Sequence, residues 1–124
     1  MSSIPANLQY TKDHEWALVE GGIATVGITD HAQHELGDIV FVELPKVGAA
    51  VKAGESFGTI EAVKTVAELY APVSGTVTAV NTALADDAGV VNTDPYGKGW
   101  ILKITVSGET GELMDAGAYQ KLVQ

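Results

Sequence analysis

From residue 16 to residue 106 the chain is a succession of short runs rich in Val, Ile and Thr, each cut off by glycine or proline. Such runs are too short to present a helical face but suit β-strands, whose side chains alternate between two surfaces. Residues 16–19 and 23–28 flank Gly21-Gly22, and a glycine pair in that position favours a tight hairpin. Residues 39–44 make a further strand, stopped by Pro45. Val51, Phe57 and Ile60 continue the pattern around Gly54 and Gly58, residues 71–75 read as a turn, and residues 76–80 as a strand. Residues 100–106 set Ile101, Lys103 and Thr105 against Leu102, Ile104 and Val106, the period of a strand. Helical signals are peripheral. Asp30 can cap a short helix, with Gln33 three residues on and Gly37 to end it. Residues 81–92 carry no convincing period, and residues 110–123 have helical character interrupted at Gly117. The expectation is a mainly β sandwich or barrel with short peripheral helices. Pro45-x-x-Gly48 recurs as Pro72-x-x-Gly75, and two like turns flanking a central hairpin suit a two-fold symmetric sandwich.

The chain has 124 residues, material for one core and not two, so a single domain over residues 1–124 is expected. Aromatic residues make up only 6% of it; the core must come from Val, Ile, Leu and Ala, with Trp16 and Trp100 as anchors. A formal charge of −9 speaks against a nucleic-acid-binding or polybasic membrane surface, since both need clustered Lys and Arg. There is no cysteine, so disulfides and a thiol nucleophile are excluded, and sulfur redox chemistry would require an added group. Residues 1–10 show no basic or apolar signal region and no Arg, and no apolar run approaches membrane-spanning length. A cytoplasmic monomer is expected.

His31 and His34 stand three apart beside Glu35 but lack two further placed ligands, so no metal site is expected. Gly97-Lys98-Gly99 has incomplete glycine spacing for a phosphate loop and precedes a strand. Asp86-Asp87 has no spacing for a catalytic dyad, and no nucleophile–histidine arrangement has a local signature. No catalytic residue is expected.

The segment Glu61-Ala62-Val63-Lys64-Thr65-Val66-Ala67-Glu68 is nearly palindromic about Lys64-Thr65. With that pair at the tip of a hairpin, Val63 would face Val66, Ala62 would face Ala67 and Glu61 would face Glu68. Lys64 would then stand alone on a stiff turn between apolar neighbours and acidic shoulders. A lysine so presented offers a primary amine on a flexible four-carbon stem, open to acylation. The same stretch also satisfies a helix, with good propensities, Glu61 and Lys64 three apart, and Val63, Val66 and Tyr70 on one face. The tip also lacks the glycine that short hairpins prefer. Local physics leaves both conformations open.

The wider pattern resembles one family. Gly58-Thr59-Ile60-Glu61-Ala62-Val63-Lys64, followed by Tyr70-Ala71-Pro72-Val73-Ser74-Gly75, is similar to the lipoyl-attachment region of the glycine cleavage system H proteins. Tyr10-Thr11-Lys12-Asp13-His14-Glu15-Trp16 resembles that family's opening. Val26-Gly27-Ile28-Thr29-Asp30-His31-Ala32-Gln33 and Gly37-Asp38-Ile39-Val40-Phe41-Val42-Glu43-Leu44-Pro45 resemble its next blocks. Val91-Asn92-Thr93-Asp94-Pro95-Tyr96-Gly97-Lys98-Gly99-Trp100 resembles a late block that isolated lipoyl domains lack. The departures are mild: Ala62 stands where Ser is common, and Thr65 where a small residue is usual.

The resemblance implies a barrel-sandwich hybrid of the lipoyl/biotinyl type, its core at about residues 22–106 between N-terminal and C-terminal extensions. It implies lipoate on Lys64 at a hairpin tip, with Glu61, Ala62, Val63 and Thr65 as the attachment context. It further implies a non-catalytic carrier serving a pyridoxal-phosphate glycine decarboxylase (P protein), a folate-dependent aminomethyltransferase (T protein) and dihydrolipoamide dehydrogenase (L protein), loaded by lipoyl- or octanoyl-attaching enzymes. An aminomethyl-bearing arm would rest in a surface cleft and be held there by carboxylates, because an ammonium leaving water needs charge-assisted hydrogen bonds. Glu15 is the first candidate for that role, followed by Glu68, Asp13 and Glu35. The rivals are a biotin carrier, another lipoyl domain, a plain interaction module, and an H-like protein acting in lipoyl transfer. Biotin carriers flank the lysine with methionines, but here the neighbours are Val63 and Thr65, with Met1 and Met114 far off. The lipoyl domains of 2-oxoacid dehydrogenases usually show an Asp-Lys-Ala tip and a linker, which this chain lacks.

Overall fold

Gly21 and Gly22 both adopt positive φ, 58° and 79°, and close a hairpin between strands β2 (Glu15–Glu20) and β3 (Ile23–Ile28). That is the two-residue turn whose twist matches the flanking strands. The computed structural model describes residues 3–111 and 113–123. Strand β1 (Gln9–Tyr10) precedes this hairpin, and helix α1 (Asp30–Leu36) follows it. Next come β4 (Ile39–Glu43), β5 (Ala50–Val51), β6 (Ser56–Ala62), β7 (Val66–Tyr70) and β8 (Val73–Val80). A 3-10 turn (Thr82–Ala85), α2 (Val90–Thr93), β9 (Leu102–Thr110) and α3 (Ala116–Val123) complete the order.

The strands form two antiparallel sheets: six strands in the order β1-β2-β3-β9-β8-β5, and three in the order β4-β6-β7. Their inner faces share one core, in which Val26 and Ile104 of the larger sheet join Ile60 and Leu69 of the smaller. A second cluster of Leu8, Tyr10, Trp16 and Tyr119 seals the end where the two termini meet. The strand-rich expectation holds, and so does the choice of Val, Ile, Leu and Ala for the core.

Several local expectations change. The cap of α1 is Thr29, whose hydroxyl accepts the Ala32 N–H; Asp30 sits inside the first turn and accepts from the Gln33 amide instead. Gly37 ends the helix as expected, at φ 80°. Residues 73–75 lie in β8 and not in a turn. Gly75 is needed there because of close approach: a Cβ on it would overlap the Thr105 carbonyl oxygen of β9. Gly117 does not interrupt the last helix. It lies in the first turn of α3, where the Asp115 carboxylate accepts the Ala118 N–H at 2.8 Å and pins the helix start. Trp16 is buried and donates its indole N–H to the Pro95 carbonyl, whereas Trp100 is half-buried, 5.5 Å beneath the Lys103 ammonium. The two Pro-x-x-Gly segments come side by side. Gly48 N–H donates to the Val77 carbonyl and Val77 N–H to the Ala49 carbonyl, so each copy opens one strand of the β5–β8 pair.

The two kinds of glycine predict different losses. Gly22→Ala meets open space and should cost about 1 kcal/mol for its left-handed backbone alone. Gly75→Ala must push β8 and β9 apart and should cost about 3 kcal/mol or more. Urea unfolding midpoints of the two variants check the difference; equal losses would contradict the close-approach account.

Candidate functional site: a lysine hairpin beside an acidic cleft

Residues 61–68 form a hairpin and not a helix. Its turn lies one residue earlier than the palindrome suggested. Glu61 pairs with Val66, Ile60 with Ala67 and Thr59 with Glu68, so the expected pairs Val63–Val66, Ala62–Ala67 and Glu61–Glu68 do not form. Val63 and Lys64 occupy the tip, closed by the Ala62 N–H donating to the Thr65 carbonyl at 2.7 Å. Neither tip residue takes positive φ, which among the described non-glycine residues occurs only at His14. The tip is braced from outside instead: Val63 N–H donates to the Asp38 carbonyl at 2.9 Å. That brace replaces the glycine that an unsupported turn would need, and it sets the register.

Lys64 is exposed at this tip, and so are Val63, 75% exposed, and Val66, 59% exposed. The lysine stem passes close to Gly37, where a Cβ would come within 3.3 Å of Cε. The residue before that glycine, Leu36, lines a cleft of about 140 Å³ between α1, the β6–β7 hairpin and the loop entering β2. Ile28, Ala32, Leu36, Ile60 and Leu69 give the cleft an apolar lining. Asp13, Glu15, Glu35 and Glu68 are the four carboxylates along it, so the structure brings all four sequence candidates to one place. They are not equivalent. Glu35 lies 3.4 Å from His31, Glu68 accepts the Tyr70 hydroxyl at 3.2 Å, and both are exposed, as is Asp13.

Glu15 is only 2% exposed. One carboxylate oxygen accepts the Thr11 hydroxyl at 2.7 Å and the other the Tyr70 N–H at 3.2 Å. Burial pushes this carboxyl up to about 8, against the opposing pull of those two donors. A buried carboxyl disposed in this way is poised to receive a cation, since an ammonium beside it would repay the desolvation that raises it. A second cavity of about 250 Å³, bordered by Lys12, Tyr70 and Met114, shares Asp13 and Glu15 with the cleft.

Sequence reasoning missed Thr11 and Tyr70, which hold Glu15, and His14 and Tyr119, which stand behind it. Pattern could not reveal them. Glu15, Trp16 and Ala17 are buried in succession, a departure from strand alternation that only the second cluster explains.

Fold and site together define a class: a barrel-sandwich hybrid of the lipoyl type, with a lone exposed lysine at a hairpin tip and a cleft next to it. The family described as glycine cleavage H-protein matches residues 8–124. The glycine cleavage system H protein of Rubrobacter xylanophilus (strain DSM 9941) is 63% identical over 124 residues, covering 100% of this chain and 98% of its own length. That of Chlorobium limicola (strain DSM 245) is 58% identical over 125 residues, covering 98% of each. The crystal structure of a glycine cleavage system H protein from Mycobacterium marinum superposes with a TM-score of 0.91 at 47% identity, over 95% of this chain and 97% of that one. This chain belongs to the glycine cleavage H-protein family.

The raised carboxyl fixes a pH dependence. Between about pH 4.5 and 8 folded Glu15 keeps a proton that the unfolded chain has lost, so its contribution to stability is full below that window and falls as pH rises through it. Each pH unit inside the window is worth about 1.4 kcal/mol. Glu15→Gln, which mimics the protonated acid, should flatten the fall of urea-unfolding stability between about pH 5 and 8; an unchanged slope would show that Glu15 is ionised in the fold.

Proposed function

We propose that this protein is the lipoyl carrier of a glycine cleavage system, with lipoate held in amide linkage on Lys64. In that role it takes the aminomethyl group of glycine from the P protein to the T protein and is reoxidised by the L protein. It contributes no catalysis of its own and works as a cytoplasmic monomer, loaded by lipoyl- or octanoyl-attaching enzymes. When bound, the lipoyl group supplies a disulfide that accepts the aminomethyl unit and two electrons. One observation carries the reading: an exposed lysine stands on a braced turn whose own strands form the wall of a cleft ending at a buried carboxyl. Among the described residues no helix is long and apolar enough to cross a membrane.

The residues fit such a group. Lys64 offers its amine to solvent at the tip, where an attaching enzyme can reach it. The brace from Asp38 to Val63 holds the turn, so presentation needs little ordering on encounter. Ile28, Leu36, Ile60 and Leu69 give the cleft the apolar surface that a saturated chain and sulfur ring would bury. Glu15 closes the polar end. A terminal ammonium there would be held by charge-assisted hydrogen bonds away from bulk water, and Glu68, Asp13 and Glu35 would line its approach. Val63 and Thr65 at the lysine's sides, in place of methionines, favour lipoate over biotin.

The attachment is tested by intact mass after expression in lipoate-fed cells. A lipoyl increment is expected on the wild type and should vanish in Lys64→Arg; no increment in cells with active lipoylation would overturn it. The cleft role is tested separately. Glu15→Ala should hasten loss of the aminomethyl group from the loaded protein about tenfold or more, consistent with removal of a hydrogen-bonded charge contact. An unchanged rate would remove Glu15 from the role.

A further inference from the structure

At the wall of the cleft that His14 helps to line, three residues form a closed ring. The Tyr119 hydroxyl lies 2.7 Å from Thr29 Oγ1 and 2.9 Å from His14 Nδ1, while the Thr29 N–H donates to the His14 carbonyl at 3.0 Å. His14 and Thr29 are thus joined twice, once through the backbone and once through a tyrosine from the far end of the chain. Each belongs to a different wall. His14 stands between Asp13 and Glu15, in the loop that brings those carboxylates to the cleft. Thr29 is the N-cap of α1, the helix that supplies Ala32 and Leu36 to the opposite side.

His14 adopts φ 68°, the left-handed region, where a side-chain-bearing residue is disfavoured. Such a conformation is strained and persists only where its surroundings over-determine it. Here the His14 N–H donates to the Thr11 carbonyl at 3.1 Å, the carbonyl accepts from Thr29, and the ring is held by Tyr119. Tyr119 is itself fixed. It is 0% exposed and stacks on Tyr10 with ring centroids 4.7 Å apart. Thr29 Oγ1 already accepts the Ala32 N–H. The arrangement that leaves no hydroxyl proton unpaired therefore runs Thr29 O–H to Tyr119 oxygen and Tyr119 O–H to His14 Nδ1. It requires a neutral His14, and burial together with the neighbouring His31 lowers this imidazole below its usual range.

We propose that Tyr119 is a positioning residue for the arm cleft: its hydroxyl clips the carboxylate-bearing loop to the N-terminus of α1 and so fixes Glu15 relative to the apolar wall. The C-terminal helix thereby has a function beyond covering the second cluster. The inference rests on the arm-docking reading above and adds to it the element that holds the cleft in shape. Tyr119 touches nothing that would bind there; it acts through His14 and Thr29.

The test uses the lipoylated protein, loaded from labelled glycine by the P protein, with aminomethyl-lipoamide free in solution as the unsheltered reference. Tyr119→Phe keeps the ring stack and removes only the hydroxyl. The expected result is loss of the label at least threefold faster than from wild type, with the extent of Lys64 lipoylation unchanged. His14→Gly takes the left-handed backbone without strain and loses the same hydrogen bond together with a side chain that lines the cleft. It carries the test if Tyr119→Phe does not fold, with His14→Asn, which keeps a polar side chain there and tolerates the same backbone, expected to lose label as fast. The clip predicts that the double variant loses label no faster than the faster single one, because both break one link. A packing role for Tyr119 would instead make the effects multiply and would overturn the proposal. So would a Tyr119→Phe protein that shelters the label as well as wild type. A wild type that loses label as fast as free aminomethyl-lipoamide would overturn the docking reading, and the clip with it.

Discussion

The contact on which the site depends is the one between the Glu15 carboxyl and the Tyr70 N–H. Glu15 opens β2 of the larger sheet and Tyr70 ends β7 of the smaller, so this hydrogen bond ties the two sheets together at the closed end of the cleft. A carboxyl with 2% exposure is costly to desolvate, and two donors offset only part of that cost. In the folded state the remainder is met by a proton retained up to about pH 8, and it stands as a demand for positive charge that an ammonium could meet in the proton's place. A surface carboxylate would make no such demand, because water already satisfies it. The exposed carboxylates of Asp13, Glu35 and Glu68 therefore differ in kind from Glu15, although all four line the same cleft.

Everything around Glu15 holds it in that position. Thr11 receives the Asp13 and Glu15 N–H groups on its hydroxyl while giving its own proton to the carboxyl. His14 is bent into a conformation it would not choose, and Tyr119 reaches across from the last helix to keep it there. Opposite, the short helix α1 is capped by Thr29 and ended by Gly37, which leaves space for the Lys64 stem. A two-residue tip braced by Asp38 then presents the lysine at the cleft's open end. Stiff presentation on one side and a preformed acceptor on the other are what the proposed arm would need to be both reachable and sheltered, since only differential contacts can shift an arm between two such states.

Much of the architecture was legible in the sequence because it rests on local chemistry. The Gly21-Gly22 pair, the β-branched runs and the Pro45–Gly48 turn each dictate a short-range conformation, and most strands follow from them, whereas Pro72-x-x-Gly75 opens β8 directly because Gly75 packs against β9. The hairpin at Lys64 was not decided locally. Its brace comes from the Asp38 carbonyl, far from the palindrome in sequence, and the same brace moved the register that symmetry alone suggested. The cap of α1 was misplaced by one residue because Thr29 and Asp30 both satisfy the cap chemistry, and only the pull of Tyr119 and Ala32 on the Thr29 hydroxyl separates them. The carboxylates, and the priority of Glu15 among them, could be named from family resemblance, but the burial that sets Glu15 apart could not. Glu15 is held across the sheets by Tyr70, a long-range partner that no local pattern points to. Tyr119 carries no motif, and nothing in the opening block that contains His14 points to it; their connection exists only after the chain ends meet.

The most direct measurement is an NMR spectrum of the lipoylated protein loaded from 2-13C-glycine. With the loaded arm docked, the labelled methylene lies inside the cleft, so cross-relaxation from it to the methyl groups of Ile28, Leu36 and Ile60 is expected, with a changed Glu15 carboxyl resonance relative to the unloaded protein. A methylene that shows no such contacts and leaves Glu15 unmoved would place the loaded arm in solvent and contradict the account.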